Sequence, residues 1–117
     1  MSQGIKGTTN LKGRNFAVQS ERTNGGEHIR VLGELDLSVT GLVDREIRRA
    51  EATDASSIVL DLHQLEFLDA SGIRLLLRAS GRSQADGNRL RIRRASAPQV
   101  ERVLELTRVG EILPLAD

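Results

Sequence analysis

Residues 58–77 read IVLDLHQLEFLDASGIRLLL, and a change of rhythm inside this stretch decides the fold. It opens on Ile58-Val59-Leu60 and runs through Asp61 to Leu62, the pattern of a short strand buried on both faces. A polar link leads to Phe67-Leu68 and then to Asp69-Ala70-Ser71-Gly72. Beyond that, Ile73, Leu76 and Leu77 fall at i, i+3 and i+4, the stripe of an amphipathic helix that starts near Gly72. Strand, acidic-serine turn and helix follow without a break. A serine so placed is expected to be partly exposed at the end of a sheet, beside the free N–H groups of a helix start. That is a natural position for a regulatory or binding group.

Working upstream, residues 16–22 alternate Phe16 and Val18 with Gln19 and Glu21, which suits a half-buried strand. Thr23-Asn24-Gly25-Gly26 is a tight-turn signal, since Asn and Gly accept positive φ at little cost. In the next strand Ile29, Val31, Gly33 and Leu35 face one way and Arg30 and Glu34 the other, with Leu32 interrupting the alternation. These two strands should form an antiparallel hairpin. Ser38 or Thr40 is then the expected cap of a helix burying Leu42, Val43, Ile47 and Ala50.

Downstream, Asp86-Gly87-Asn88 ends the helix that follows Ser71. Leu90 and Ile92 alternate with Arg89, Arg91 and Arg93 in a further strand. Ala97-Pro98 opens a last helix with Val100, Val103, Leu104 and Thr107 on one side, before the short apolar piece Ile112-Leu113-Pro114-Leu115. Strands that alternate with helices need crossover connections. The expected architecture is therefore α/β, with a mixed, mostly parallel β-sheet of about four to five strands packed with α-helices. Residues 1–14, rich in Gly, Thr, Asn and Lys, read as a flexible lead-in or an added edge segment, with the domain proper spanning 15–117.

Composition narrows the function. A chain of 117 residues holds one domain with a core of its own, and its net charge of +1 calls for no polyanionic partner. Without cysteine there is no disulfide, thiolate nucleophile or sulfur-ligated zinc. Phe16 and Phe67 are the only aromatics, a poor basis for stacking nucleobases, and no DNA-binding motif is present. His28 and His63 sit in neither a metal-ligand spacing nor a nucleophile–base pattern, and no glycine-rich phosphate loop with a lysine occurs. No catalytic residue, metal or cofactor is expected, and the chain does not read as an enzyme. No apolar run approaches the roughly 20 residues of a membrane span, and the start lacks a signal-peptide pattern, so a cytoplasmic protein is expected.

Four segments in register carry a resemblance. Gly33-Glu34-Leu35-Asp36, Val59-Leu60-Asp61-Leu62, the run Phe67-Leu68-Asp69-Ala70-Ser71-Gly72-Ile73, and the tail from Val103 to Leu115 resemble the STAS domain family, in its bacterial anti-sigma factor antagonist branch. The resemblance implies a single STAS-like domain that binds a cognate anti-sigma factor, usually a serine kinase of the histidine-kinase ATPase fold, and so releases a sigma factor. It implies phosphorylation at Ser71 that abolishes binding, and a serine phosphatase that restores it. Asp36 would lie close to the modified residue and Asp69 would flank it. A partner would meet Asp36, Asp69, Ala70, Ser71 and Gly72, with Arg74 and Arg78 at the rim; a weak homodimer is a further possible association. The chain departs from the family pattern at Thr107-Arg108-Val109, where Thr-Gly-Leu is common.

Each residue also has a plainer reading. From local sequence alone Ser71 is more simply a helix cap or turn residue, and so are Asp69 and Asp36; the wider resemblance tips Ser71 toward phosphorylation. Arg74, Arg78 and Arg82 line one helix face, and Arg89, Arg91 and Arg93 one strand face, stripes that are more often solvated than functional. A phosphoserine adds about −1.5 to −2 charges. A helix N-terminus would favour that anion by roughly 0.3–1 kcal/mol, whereas like charge pressed into a partly desolvated contact costs several kcal/mol. Partner release with the fold retained is the expected result. The alternative role is a non-enzymatic STAS module, a structural subunit of a stress-signalling or lipid-transport complex.

Overall fold

The structure is a computed structural model that describes residues 5–10 and 15–116, with side chains from residue 15 onward. The lead-in expected over 1–14 falls partly outside the described residues; its middle is a strand, β1 (Ile5–Asn10), antiparallel to β2 (Phe16–Thr23). Then come β3 (Gly26–Leu35), α1 (Thr40–Glu51), β4 (Ser57–Asp61), β5 (Leu65–Leu68) and α2 (Ala70–Ala85). β6 (Leu90–Arg93), α3 (Pro98–Thr107), a single 3-10 turn at Val109–Glu111 and β7 (Leu115–Ala116) complete the described chain.

The expected hairpin is formed. Asn24 and Gly25 take φ of 50° and 80°, the paired positive values that a two-residue turn needs to match strand twist. β2 and β3 pair antiparallel from Phe16 opposite Gly33 to Thr23 opposite Gly26. Every later pairing is parallel, giving the order β1-β2-β3-β4-β6-β7 with β5 also beside β3. The chain is thus a single α/β domain on a mixed, mostly parallel sheet, as expected, although the sheet has seven strands among the described residues where about four to five were expected.

Its core forms where the alternating strand faces meet the helix stripes. Ile29, Val31 and Leu35 of β3, Ile58 and Leu60 of β4, and Ile92 of β6 are buried with Val43 and Ile47 of α1 and Leu76 of α2. Leu32 does not interrupt the alternation; it is the partly exposed residue between buried Val31 and Gly33. Val59 is also partly exposed, so β4 is not fully covered on both faces.

Three further expectations need correction. Neither Ser38 nor Thr40 caps α1: Val39 holds the cap position without a side-chain bond, and the Thr40 hydroxyl donates to the Leu37 carbonyl instead. α2 starts at Ala70, two residues before Gly72, because Asp69 caps it. β5 was not expected as a strand, since its Glu66 and Phe67 are both exposed and give no alternating signal. Gly33 makes room for it: with φ of +87° it bends β3, whose first half pairs β4 and whose end pairs β5.

Candidate functional site

Asp69 enters α2 with extended backbone, and one carboxylate oxygen gathers the first turn. Its Oδ1 accepts from the Ser71 N–H at 2.9 Å, the Gly72 N–H at 3.3 Å and the Ser71 hydroxyl at 2.5 Å. The plain reading of Asp69 as a cap is therefore correct, and capping is compatible with any further role. Ser71 is less accessible than a turn serine should be, with 9% of its surface exposed. The cause is its place inside the helix, at the second helical position, with its hydroxyl drawn onto the cap.

Gly72 is buried beneath the turn. A Cβ there would lie 2.3 Å from Leu68 Cδ1 and 3.3 Å from Leu35 Cγ, so glycine lets the start of α2 settle on the ends of β3 and β5. Ala70, by contrast, is exposed.

Ser71 borders a groove of about 350 Å³ between α1 and α2. On the α2 wall Ser71, Arg74, Leu75 and Arg78 fall at i, i+3, i+4 and i+7, one face of the helix. The opposite wall is Thr40, Gly41, Asp44 and Arg48 of α1, and Leu37 stands at the mouth, 72% exposed. Asp36 is not among the residues lining the groove; its carboxylate accepts from the Ser38 N–H and hydroxyl and orders the turn that carries Leu37.

Charge is unevenly satisfied along the groove. Arg48 pairs with Asp44 at 2.8 Å, and Arg82 spans from α2 to Asp44 and Glu51. Burial pushes the Asp44 carboxyl up, but hydrogen bonds and charge from Arg48 and Arg82 hold it below its ordinary value. Arg74 and Arg78 have no carboxylate partner among the described residues. The expected arginine stripes therefore divide. Arg82 is a clamp between helices, Arg89 donates to the Glu51, Thr53 and Ala55 carbonyls, and Arg93 pairs with Asp61. Only Arg74 and Arg78 of these line the groove beside Ser71.

Sequence reasoning did not single out Leu37, Asp44 or Arg48. Leu37, an apolar residue within a polar turn, and the i, i+4 spacing of Asp44 and Arg48 were the available signals. Among the described residues no cluster of His, Asp and Glu could hold a metal ion, and no helix is long and apolar enough to cross a membrane.

A family model described as "Mlab, STAS domain" matches residues 18–114. Comparison with curated proteins gives no match. Among solved structures the chain is similar to an anti-sigma factor antagonist from Mycobacterium paratuberculosis, at 23% identity over 84% of this chain and 82% of that one, with a TM-score of 0.74. It is similar to the anti-sigma factor antagonist SpoIIAA in its unphosphorylated form, at 27% identity over 86% and 88%, with a TM-score of 0.68. The phosphorylated form of SpoIIAA, a Bacillus cell fate determinant, matches at 25% identity over 86% and 91%, with a TM-score of 0.62.

Proposed function

The chain belongs to the STAS domain family, and from that premise we propose that it is an anti-sigma factor antagonist switched by phosphorylation of Ser71. The observation that carries the reading is the position of one hydroxyl. Ser71 sits in the first turn of α2, oriented by Asp69, on the wall of a groove flanked by two arginines without a carboxylate partner among the described residues and by an exposed leucine. The likeness to an antagonist solved in both unphosphorylated and phosphorylated forms supports it.

The partner is an anti-sigma factor that is also a serine kinase, and the docking surface comprises Leu37, Ala70, Ser71, Arg74 and Arg78. Leu37 supplies apolar contact area at the groove mouth, and the two arginines favour acidic groups on the partner. Phosphorylation puts about −1.5 to −2 charges where the partner fits a neutral hydroxyl. Each 1.4 kcal/mol of resulting repulsion lowers affinity about tenfold. A serine phosphatase reverses the change, and the protein acts without catalysis or cofactor of its own.

The test is to mix the chain with candidate anti-sigma kinases and ATP, follow intact mass, and map the modified peptide. Ser71→Ala should abolish modification, and Ser71→Asp should weaken capture while the circular dichroism spectrum stays native. Equal capture of parent and Ser71→Asp would overturn the switch. The family model's description, which names Mlab and a STAS domain, is equally compatible with a second reading as a non-enzymatic subunit of a larger assembly. Stable co-purification with a complex, indifferent to Ser71→Asp, would select it.

A further inference from the structure

We propose that the groove between α1 and α2 is a phosphate-binding site acting in cis: a phosphoryl group on Ser71 turns away from Asp69 and is held by Arg74 and Arg78. The inference rests on the reading of Ser71 as the modified residue and assigns where its phosphate goes.

Three observations direct the group. The Ser71 hydroxyl now donates to Asp69 Oδ1; esterification removes that donor and sets a dianion against the same carboxylate. The amides that usually receive an anion at a helix start cannot take over, because those of Ser71 and Gly72 are already bound to Asp69. The open space beside Ser71 is the groove, whose volume of about 350 Å³ holds a phosphate with ease.

The groove offers the phosphate cations that have no carboxylate partner among the described residues. Arg74 and Arg78 stand one and two turns beyond Ser71 on the same face. Both residues line the groove that Ser71 borders, and helical side chains lean toward the N-terminus, the direction of the turn that carries Ser71. They are spare in a way their neighbours are not, since Arg48 is committed to Asp44 and Arg82 to Asp44 and Glu51. Guanidinium forks also match phosphate oxygens in charge and geometry. The charged groups facing the phosphate are then Asp69 and Asp44 against it, and Arg74, Arg78 and the partly neutralised Arg48 for it. When the phosphate takes the two arginines, they are withdrawn from any acidic partner, so a single modification both adds negative charge and removes positive charge from the surface.

The experiment needs no kinase. Phosphoserine is placed at position 71 of the full chain by genetic encoding, and the second ionisation of the phosphate is followed by ³¹P NMR. A neighbouring cation favours the dianion, so Arg74→Gln should raise the titration midpoint by about half a pH unit, and Arg78→Gln by less. Arg91→Gln, on β6 outside the groove, should leave it unchanged. Thermal unfolding of each variant verifies that the exposed substitutions keep the fold. Midpoints identical to the parent in Arg74→Gln, Arg78→Gln and the double variant would overturn the site. Failure of every kinase to modify Ser71 would instead count against the switch, and it leaves this titration unaffected.

Discussion

Asp69 and Arg108 show how much one side chain decides at a helix end. Asp69 satisfies two amide groups and a hydroxyl at once, and a lost cap costs about 1 kcal/mol. Asp69→Ala should therefore lower unfolding stability by about 1–2 kcal/mol in urea titrations, while Asp69→Asn, an equally good cap, should retain most of it. A loss as large in Asn as in Ala would mean that charge, not capping, is what Asp69 contributes. At the other end of the helical series, Arg108 closes α3 with φ of 60°, the conformation for which glycine is the usual choice. This is where the sequence departs from the Thr-Gly-Leu that its resemblance led one to expect, and Arg108 itself takes the left-handed conformation. Arg108→Gly should raise stability by about 0.5–1 kcal/mol, since the ion pair it gives up with Glu111 is exposed. Unchanged or reduced stability would show that Arg108 bears no strain. The Asp69 cap was legible in the sequence, because an acidic residue before an apolar helix stripe is a familiar start signal. The burial of Ser71 was not: it depends on Asp69 starting the helix two residues early, and boundaries respond to such local competition.

β3 is the element on which the sheet turns, and its behaviour hangs on Gly33. Pairing with β4 uses Gly26 to Arg30, and pairing with β5 resumes at Gly33 after a bend. A Cβ at Gly33 would fall 2.2 Å from the Asn15 carbonyl oxygen, on a backbone already at positive φ. Gly33→Ala should destabilise by at least about 2 kcal/mol, because neither the strand nor the conformation can give way. Gly72→Ala is the instructive contrast. Its helical backbone gains up to about 1 kcal/mol from alanine, whereas crowding against Leu68 and Leu35 costs about 1–3 kcal/mol, so a net loss near 1 kcal/mol should appear as a lower urea midpoint. A stabilised Gly72→Ala would mean that Leu68 moves aside freely. These elements also explain what could be read in advance. The Asn24-Gly25 hairpin and all three α-helices were legible from period and turn chemistry. β5 and β7 were not, because they are only four and two residues long and are defined by what they pair with, not by their own pattern.

Taken as a body, the domain ties its layers together with ionised carboxylates, and that makes it acid-labile. Asp61 of β4 accepts from His28 of β3 at 2.8 Å, from Arg93 of β6 at 3.1 Å and from the His63 backbone at 2.9 Å, joining three strands. Glu46 of α1 accepts from Ser20 of β2 and from Arg49, and Asp44 joins α1 to α2 through Arg82. Burial pushes each carboxyl up, yet the hydrogen bonds and arginine charge outweigh it, leaving all three below their ordinary values of 3.8 for Asp and 4.5 for Glu. A carboxyl whose pKa is lower folded than unfolded binds fewer protons in the native state. Its stabilisation is complete above the unfolded value and drains away as pH falls toward the folded one. Urea midpoints should therefore hold steady between about pH 7 and 5 and drop steeply below about pH 4. Asp61→Asn should cost about 1–3 kcal/mol at neutral pH, since it weakens a buried charged network. It should also flatten the acid limb, because the group whose protonation the limb records is gone. If the variant loses stability at neutral pH but keeps the full acid slope, the proton uptake belongs to Asp44 and Glu46, and the ties that fail in acid are those from α1 to α2 and to β2, not the one across β3, β4 and β6.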